Sequence, residues 1–221
     1  MNRKPKAIIV GAGIGGITAA IALRQSGIEA LVYERAPELK EIGAGIALAS
    51  NAMKVLSQLG LSDRVAGKGI PLANGDIRTW KGDVIVRGSA EALPLVSVCV
   101  HRADLLGVLV EALGADHVNV GYECTGFEHH NDAVGVRFSN GEDVEGDFLI
   151  GADGIQSVVR AQIHGPERPR YAGYTAWQAV ANFEMEPKIS ESWGHGRRFG
   201  IVPIGNGRVY WYATKTLWKG S

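Results

Sequence analysis

The feature that most constrains this chain is a glycine-rich turn between a short apolar strand and a helix, close to the N-terminus. The β-branched run Ala7 to Val10 is followed by Gly11, Gly13 and Gly16 in the pattern G-x-G-x-x-G. The first glycine of such a pattern permits a tight turn, the second lets a pyrophosphate approach the backbone, and the third lets the helix pack closely on the strand. The pattern therefore predicts a βαβ unit that binds a dinucleotide.

The same stretch also has the outline of a signal peptide, because basic residues precede an uncharged run from Ala7 to Leu23. We reject that interpretation, and that of a membrane span, because the period of the apolar residues changes within the run. The strand-like residues end at Gly11, and apolar residues recur at helical spacing from Ile14 until Gly27 ends the segment. No other apolar run in the sequence is long enough to predict a membrane span.

An acidic residue strengthens the dinucleotide prediction. Glu34 ends the next predicted strand, Ala30 to Glu34, close to the ~20-residue spacing at which such motifs place an acid that accepts hydrogen bonds from ribose hydroxyls. A carboxylate at this position disfavours the 2′-phosphate of NADP(H). The spacing leaves both NAD(H) and FAD open.

Composition narrows the possible partners. The 221 residues include 23 Lys and Arg against 23 Asp and Glu, so the formal net charge is zero. With no basic block, nucleic acid or an anionic membrane is not expected as the main partner. Cys99 and Cys124 fit no metal or redox spacing, so a reduced cytoplasmic protein is expected, and the sequence gives no indication of oligomeric state.

The rest of the chain predicts two kinds of structure. A second glycine turn, Gly151 to Gly154, follows a strand at Phe148 to Ile150 and precedes a helix over Ile155 to Ile163. A loop is predicted at Gly43 to Ala47. Beyond residues 166–169 the pattern alternates and is rich in aromatic residues, which predicts an antiparallel sheet. The predicted fold class is therefore α/β, a Rossmann-like nucleotide-binding region interwoven with a mainly antiparallel sheet.

Several longer motifs resemble one family, the single-component flavin monooxygenases that include salicylate and 4-hydroxybenzoate hydroxylases. GAGIGG at 11–16 with Glu34 and Arg35 resembles their FAD fingerprint, and GADGIQSVVR at 151–160 resembles their more specific Asp-Gly motif. Similar segments occur at 43–61, 101–105, 173–180 and 197–213, so the resemblance covers nearly the whole chain. It implies an FAD-binding domain at 1–70 and 94–170, and a substrate domain at 71–93 and 171–221.

The resemblance also implies roles for individual residues. The ADP half of FAD would be held by Gly11, Gly13, Ile14, Gly15, Gly16 and Glu34. Arg35 and Arg102 would contact the cofactor, although each could be only a solvated charge. Asp153 and Gly154 would lie near the pyrophosphate, although Asp153 could be only a turn residue. Gly45 and Ile46 would lie near the isoalloxazine ring.

The reaction implied is hydroxylation of a small aromatic or heteroaromatic substrate. NAD(P)H reduces FAD, O₂ adds to the reduced flavin, and the resulting hydroperoxide delivers one oxygen atom. No catalytic side chain is identified, because the flavin performs the difficult step. No metal is expected, since His129 and His130 have no second pair of ligands. Two alternatives stay open: an FAD-dependent epoxidase or reductase of isoprenoids, and a non-catalytic nucleotide-binding protein.

Substrate residues are predicted from strand alternation. Residues Arg198 to Ile204 and Arg208 to Ala213 form a hairpin around Gly205 to Gly207. If the faces of the two strands align, Arg198 and Tyr210 share one face, where an arginine and a phenol would suit an anionic aromatic ring. An exposed arginine and a packed tyrosine are the alternative.

One departure from the family is expected to matter. Its members carry a third FAD motif, a Gly-Asp-Ala turn followed by further helices, and no such motif follows Gly154 here. The chain is therefore expected to be truncated or a fragment, with an incomplete substrate domain. Weakened FAD binding is the corresponding expectation.

Overall fold

The computed structural model describes residues 3–39, 43–72, 74–89 and 97–217. Packing divides the chain into two compact units, each assembled from two segments. The first unit comprises residues 1–40 and 106–169, and the second comprises residues 41–105 and 170–221. Residues 41–70 therefore belong to the second unit, which contains the aromatic-rich sheet, and not to the first unit, which contains the glycine turns. The domain boundaries expected from the resemblance, which concern ligand binding, stay a prediction.

The helices in the described ranges are short. The α-helices are α1 (Ile14–Gln25), α2 (Ser50–Gln58), α3 (Ser62–Ala66), α4 (Arg102–Leu113) and α5 (Val158–His164), and a 3₁₀ turn covers Ala115–His117.

The strands, numbered along the chain, are β1 (Lys6–Val10), β2 (Glu29–Glu34), β3 (Gly45–Leu48), β4 (Ile70–Leu72), β5 (Asn74–Thr79), β6 (Val84–Ser89), β7 (Ser97–His101), β8 (Val118–Val120), β9 (Cys124–His130), β10 (Ala133–Phe138), β11 (Asp143–Gly146), β12 (Phe148–Gly151), β13 (Tyr174–Asn182), β14 (Lys188–Gly194), β15 (Arg197–Pro203) and β16 (Arg208–Thr216).

The first unit is built on a parallel sheet with the strand order β12-β1-β2-β8. Ile8 and Ile9 in β1 are both fully buried, as expected for a parallel strand covered on both faces. The register pairs Val10 with Gly151 on one side and with Tyr33 on the other. The two glycine turns therefore leave the sheet at neighbouring positions on one edge.

A three-stranded antiparallel sheet, β11-β10-β9, completes the first unit. Its apolar face contributes Phe127, Val134, Val136 and Phe138 to the core that β1 and β2 also line. Tyr33 from β2 stacks on Phe138 with ring centroids 4.9 Å apart. This aromatic contact joins the two sheets of the first unit.

The second unit contains a six-stranded sheet with the order β13-β16-β15-β14-β5-β6. The pairing is antiparallel except between β14 and β5, which run parallel. A smaller antiparallel sheet, β3-β7-β4, packs its Cys99 against Val202 of β15 and against Ile204, which follows that strand. The predicted α/β class with a mainly antiparallel second sheet is confirmed.

Some local predictions are wrong. Residues 45–47 of the predicted loop lie in β3 instead, because Gly45 and its neighbours pair with β7. The helix predicted from Ile155 begins at Val158, because Asp153 and Ser157 cap it there. Strands β4, β8, β9 and β14 were not predicted, since a proline in β4 and polar residues in the other three interrupt the alternation.

One prediction concerns a buried carboxylate in the six-stranded sheet. Asp76 is 5% exposed, and its Oδ2 lies 2.7 Å from Lys188 Nζ and 2.9 Å from Arg78 Nη2. The hydrogen bond from Lys188, and then that from Arg78, holds the pKa of Asp76 below its usual value despite burial. A carboxylate with a lowered folded-state pKa stabilises the protein above its unfolded pKa, and that stabilisation is lost as the pH falls.

We therefore expect Asp76→Asn to lower the free energy of unfolding at neutral pH, and the difference from the unchanged protein to shrink below about pH 4. Urea unfolding across a pH series measures this difference. Asp116→Asn, at an exposed carboxylate, is the matched control. A difference that stays constant from neutral to acid pH would contradict the assignment.

Candidate functional site

The edge of the parallel sheet carries a surface cleft of about 130 Å³ in the first unit. It lies where β1, β2 and β12 end, and it is bordered by the turns that follow those strands. The residues of its lining that matter for binding are Gly11, Gly13, Glu34, Arg35, Cys124 and Asp153. Ligands of parallel sheets bind at this carboxyl edge, so the position suits a ligand site.

Two of the motif glycines are required by close backbone packing. Gly11 has φ +106°, and a Cβ at this position would lie 2.3 Å from Ala152 O. A Cβ on Gly16 would lie 1.9 Å from Gly11 O. Neither site can accept a side chain, because the obstructing atoms belong to the backbone. These two glycines thus hold the two turns and α1 together.

Gly13 and Gly15 differ, since a Cβ on either would meet no atom within 4 Å. Gly13 is the N-cap of α1, and no side chain caps that end of the helix. The first N–H groups of a helix have no partner within the helix, and together with the helix dipole they attract an anion. The open space at Gly13 and the uncapped α1 therefore form a cradle for a phosphate, into which Ile14 also brings its backbone N–H.

Glu34 ends β2 beside this cradle. Its Oε2 accepts a hydrogen bond from Ala12 N at 2.8 Å, and its Oε1 accepts one from Ala36 N at 3.0 Å. A carboxylate has about four acceptor positions, so each oxygen keeps one for a ribose hydroxyl. Arg35 is exposed and borders the same cleft.

Asp153 organises the second glycine turn. Its Oδ1 accepts a hydrogen bond from Ser157 Oγ at 2.5 Å, and its Oδ2 accepts one from Val158 N at 2.7 Å. Gly154 follows with φ +80°, a conformation that favours glycine. Asp153 is therefore a turn and capping residue that also borders the cleft.

Several cleft residues were not foreseen. The cleft is also lined by Cys124, the first residue of β9, and by the two residues before it, Tyr122 and Glu123. Gln156 lines it from the segment between the second turn and α5. Gln156 belongs to the GADGIQSVVR segment at 151–160, so its place near the second turn follows from the sequence, whereas the residues next to β9 reach the cleft only through tertiary pairing. Burial raises the pKa of the Cys124 thiol, so this cysteine is not a thiolate nucleophile at neutral pH.

The second unit brings together other predicted residues. A Cβ on Gly45 would lie 2.6 Å from Tyr210 Cβ, so Tyr210 packs directly against the backbone of β3. Ile46 pairs with Val100 in the same small sheet. Arg102 begins α4, and its backbone N–H donates to Ala44 O at 2.9 Å. Gly45, Ile46, Arg102 and Tyr210 thus belong to one region of the second unit.

The strand register decides how Arg198 and Tyr210 are related. Tyr210 pairs with Val202, and Arg198 pairs with Thr214, which puts both side chains on one face of the sheet. We call this face, defined by residues 198, 200, 202, 210, 212 and 214, the Arg198–Tyr210 face. The two pairs are four residues apart, about 13 Å at ~3.3 Å per residue. Tyr212 lies between them, opposite Gly200.

The two tyrosines of this face are protonated at neutral pH. Burial raises the pKa of Tyr210, and its Oη donates to Gln178 Oε1 at 2.8 Å. Burial, followed by the hydrogen bond to Glu191, raises the pKa of Tyr212. Both phenols therefore keep their protons and donate them within the protein, Tyr210 to Gln178 and Tyr212 to Glu191.

The first-unit cleft fits the phosphate end of FAD in shape and chemistry. The cradle at Gly13 admits a phosphate, and the Glu34 carboxylate stands where ribose hydroxyls would need an acceptor. Small-molecule sites usually measure roughly 300–1,000 Å³, so a cleft of about 130 Å³ would enclose only part of a dinucleotide.

Two kinds of site are absent from residues 3–39, 43–72, 74–89 and 97–217. No helix there is long and apolar enough to cross a membrane. No group of three or more His, Cys, Asp and Glu side chains in those ranges is arranged to hold a metal ion.

Comparison with known proteins gives consistent matches. Residues 4–214 match a family described as FAD binding domain. Aurachin C monooxygenase/isomerase of Stigmatella aurantiaca is 41% identical over 96% of this chain and 57% of its own length. 3-Hydroxybenzoate 6-hydroxylase 1 of Aquipseudomonas alcaligenes is 34% identical over 92% of this chain and 55% of its own length.

A solved structure agrees with them. The crystal structure of Klebsiella pneumoniae HpxO with FAD and uric acid superposes with a TM-score of 0.92 at 33% identity, covering 98% of this chain and 58% of that one. The chain thus spans about half the length of the curated relatives it matches.

The open cradle at Gly13 generates a prediction. Gly13→Ala adds a methyl group where no protein atom interferes, at a φ of −69° that alanine adopts readily. Its cost to stability is at most ~1 kcal/mol, since alanine is a poorer N-cap than glycine. We expect FAD affinity to fall by about tenfold or more, equivalent to ~1.4 kcal/mol, as measured by quenching of flavin fluorescence.

Gly107→Ala is the matched control, because Gly107 is an exposed glycine inside α4 with open space around it. It is expected to stabilise the protein by up to ~1 kcal/mol and to leave FAD affinity unchanged. Equal FAD affinity in Gly13→Ala and the unchanged protein would show that the cradle does not hold the phosphates.

Proposed function

Because this chain belongs to the FAD binding domain family, we propose that it is an FAD-dependent monooxygenase that uses NAD(P)H and O₂ to hydroxylate a small aromatic or heteroaromatic substrate. The observation that carries the proposal is the uncapped N-terminus of α1 beside the Glu34 carboxylate, in a chain that matches the family over residues 4–214. Bound FAD supplies the two-electron chemistry and the activation of O₂. The protein supplies binding, orientation and exclusion of water.

We assign the ADP half of FAD to the first unit. The N–H groups of Gly13, Ile14 and Gly15 would bind the pyrophosphate, and Gly11 and Gly16 keep the turn in the required conformation. Glu34 would accept from the ribose, and Arg35 would contact the cofactor. Asp153 and Gly154 would act by shaping the second turn at the cleft, where Asp153 fixes the start of α5.

We assign the flavin-side and substrate roles to the second unit. Gly45, Ile46 and Arg102 are proposed to lie near the isoalloxazine. The absence of a side chain on Gly45 is what lets Tyr210 pack against it. Arg198 and Tyr210 are proposed to bind the substrate. Arg198 is exposed and carries a permanent charge for an anionic group. The Tyr210 oxygen, whose proton is donated to Gln178 Oε1, would accept a hydrogen bond from a hydroxyl or N–H of the substrate.

The expected substrate is small, planar and anionic. One relative is named as a hydroxylase of 3-hydroxybenzoate, and the crystal structure of HpxO contains uric acid, which is also a planar ring compound. The nicotinamide donor would visit without a domain of its own, since one dinucleotide motif occurs in the sequence. We also propose a cytoplasmic location, which the buried and unpaired Cys99 and Cys124 support.

The direct test is reaction of the FAD-loaded chain with NADH or NADPH, O₂ and two probes, 3-hydroxybenzoate and urate. Consumption of reductant together with a hydroxylated product, identified by mass spectrometry, is the expected result. Bound flavin without substrate-stimulated oxidation would instead favour a non-catalytic nucleotide-binding protein. Turnover of isoprenoids alone would favour an epoxidase or reductase.

The role of Arg198 gives a separate prediction. Arg198→Ala removes the cation from the Arg198–Tyr210 face, so we expect KM for 3-hydroxybenzoate to rise by at least about tenfold, given ~1.5–3 kcal/mol for a hydrogen bond to a charged group. Arg197→Ala is the control, because Arg197 is its neighbour on the opposite face of β15. Equal KM values for the two variants would overturn the assignment of Arg198.

A further inference from the structure

Tyr212 bridges three strands of the large sheet. Its side chain starts on β16 and crosses β15 at Gly200, where an added Cβ would lie 2.2 Å from the ring carbons Cε1 and Cζ. Its Oη then donates a hydrogen bond to Glu191 Oε2 on β14. Gly200 is buried as a result. The phenol ring therefore lies across β15, and its hydroxyl is held by one oxygen of the Glu191 carboxylate.

The other oxygen of the same carboxylate holds a second ring. Trp193 Nε1 donates to Glu191 Oε1, and the Arg198 guanidinium lies over the Trp193 indole, 5.1 Å from its centroid. The register explains the arrangement, since Glu191 pairs with Gly200 and Trp193 pairs with Arg198. Glu191 thus accepts hydrogen bonds from two aromatic side chains, Trp193 and Tyr212. Trp193 lies against Arg198, and Tyr212 lies between Arg198 and Tyr210.

The Arg198 side chain needs such contacts to keep one orientation. Arg198 and Trp193 are both exposed, and a long exposed arginine otherwise samples many rotamers. A cation over an indole is held by the ring quadrupole, but only while the ring keeps its place. The hydrogen bond from Nε1 to Glu191 fixes the indole, which in turn restricts the guanidinium.

We propose that Glu191 is a positioning residue for the binding of a planar anionic aromatic ligand on the Arg198–Tyr210 face. Glu191 holds the Tyr212 ring across Gly200 as a stacking surface and holds Trp193 beneath Arg198. The ligand ring lies on Tyr212, and its carboxylate meets the guanidinium of Arg198. This proposal rests on the proposed function and adds the residues that orient the substrate.

The effect runs through geometry rather than through the charge of Glu191. Both groups that donate to it, an indole N–H and a phenol O–H, are neutral. A glutamine can keep both bonds, because its carbonyl accepts from Trp193 and its amide N–H₂ donates to the Tyr212 oxygen. Glu191→Gln and Glu191→Ala both remove the charge, but only the alanine removes both bonds.

The test measures binding of benzoate and of benzamide, its neutral analogue, by isothermal titration calorimetry on FAD-free and FAD-loaded protein. The preference for benzoate is the ratio of the Kd of benzamide to the Kd of benzoate. We expect Glu191→Gln to change this ratio by less than about threefold. Glu191→Ala is expected to reduce it by about tenfold, the scale of one cation–π contact and one aromatic contact together. The tryptophan emission of the chain, to which Trp193 contributes, should also shift in Glu191→Ala and stay unchanged in Glu191→Gln.

Ser192→Ala is the folding control, because Ser192 lies on the opposite face of β14 and should leave the preference unchanged. An unchanged preference in Glu191→Ala, or an equal loss in both Glu191 variants, overturns the positioning role. A different result would count against the proposed monooxygenase function and not against the role of Glu191. In that case benzoate binding responds to Glu191 as described, while the FAD-loaded chain consumes no NAD(P)H with any aromatic probe.

Discussion

The close backbone contact between the two glycine turns is the constraint on which the first unit depends. Gly11 approaches Ala152 so closely that no side chain fits between them, and Gly16 approaches Gly11 in the same way. The first contact follows from the parallel pairing of β1 with β12, which ends both strands at one edge, and the second from the turn that leads from β1 into α1. Without them, α1 could not direct its N-terminus along the cleft, and Glu34 would have no cradle beside it.

A different constraint shapes the second unit, where missing side chains make room for aromatic rings. Gly45 makes room for Tyr210, and Gly200 makes room for Tyr212. The glycines that matter here lie within strands, not in turns, and they let the two tyrosine side chains pack directly against the backbone. The high glycine content of the chain, 30 residues, thus serves two purposes: tight turns around a phosphate cradle, and close ring packing at a substrate face.

Much of the first unit could be predicted from the sequence, because its signals are local. The strand, glycine turn and helix are contiguous at residues 7–25. The pair Asn140-Gly141, a sequence typical of hairpin turns, lies between β10 and β11. The register also meets the condition that Arg198 and Tyr210 share a face. By contrast, β3 was missed because Gly43 and Gly45 suggested a loop. The packing that needs these glycines is tertiary, since Gly43 lies against His101 and Gly45 against Tyr210.

The roles of Tyr212 and Glu191 could not be predicted from the sequence either. Their hydrogen bond joins β16 to β14 across a third strand, so it depends on two registers at once. Tyr122 and Cys124 reach the cleft by a similar route, through the pairing of β2 with β8 and the turn that follows. Alternation within one strand gives the face of a residue, but not its neighbours on that face.

The central claim is that the cleft at the glycine turns holds the ADP half of FAD. Competition binding tests it most directly, with ADP and FMN each added to the chain in the presence of FAD. The account predicts that ADP displaces FAD and that FMN, which lacks the adenosine end, binds much more weakly than FAD. Binding of FMN as tight as that of FAD, with no competition from ADP, would contradict it.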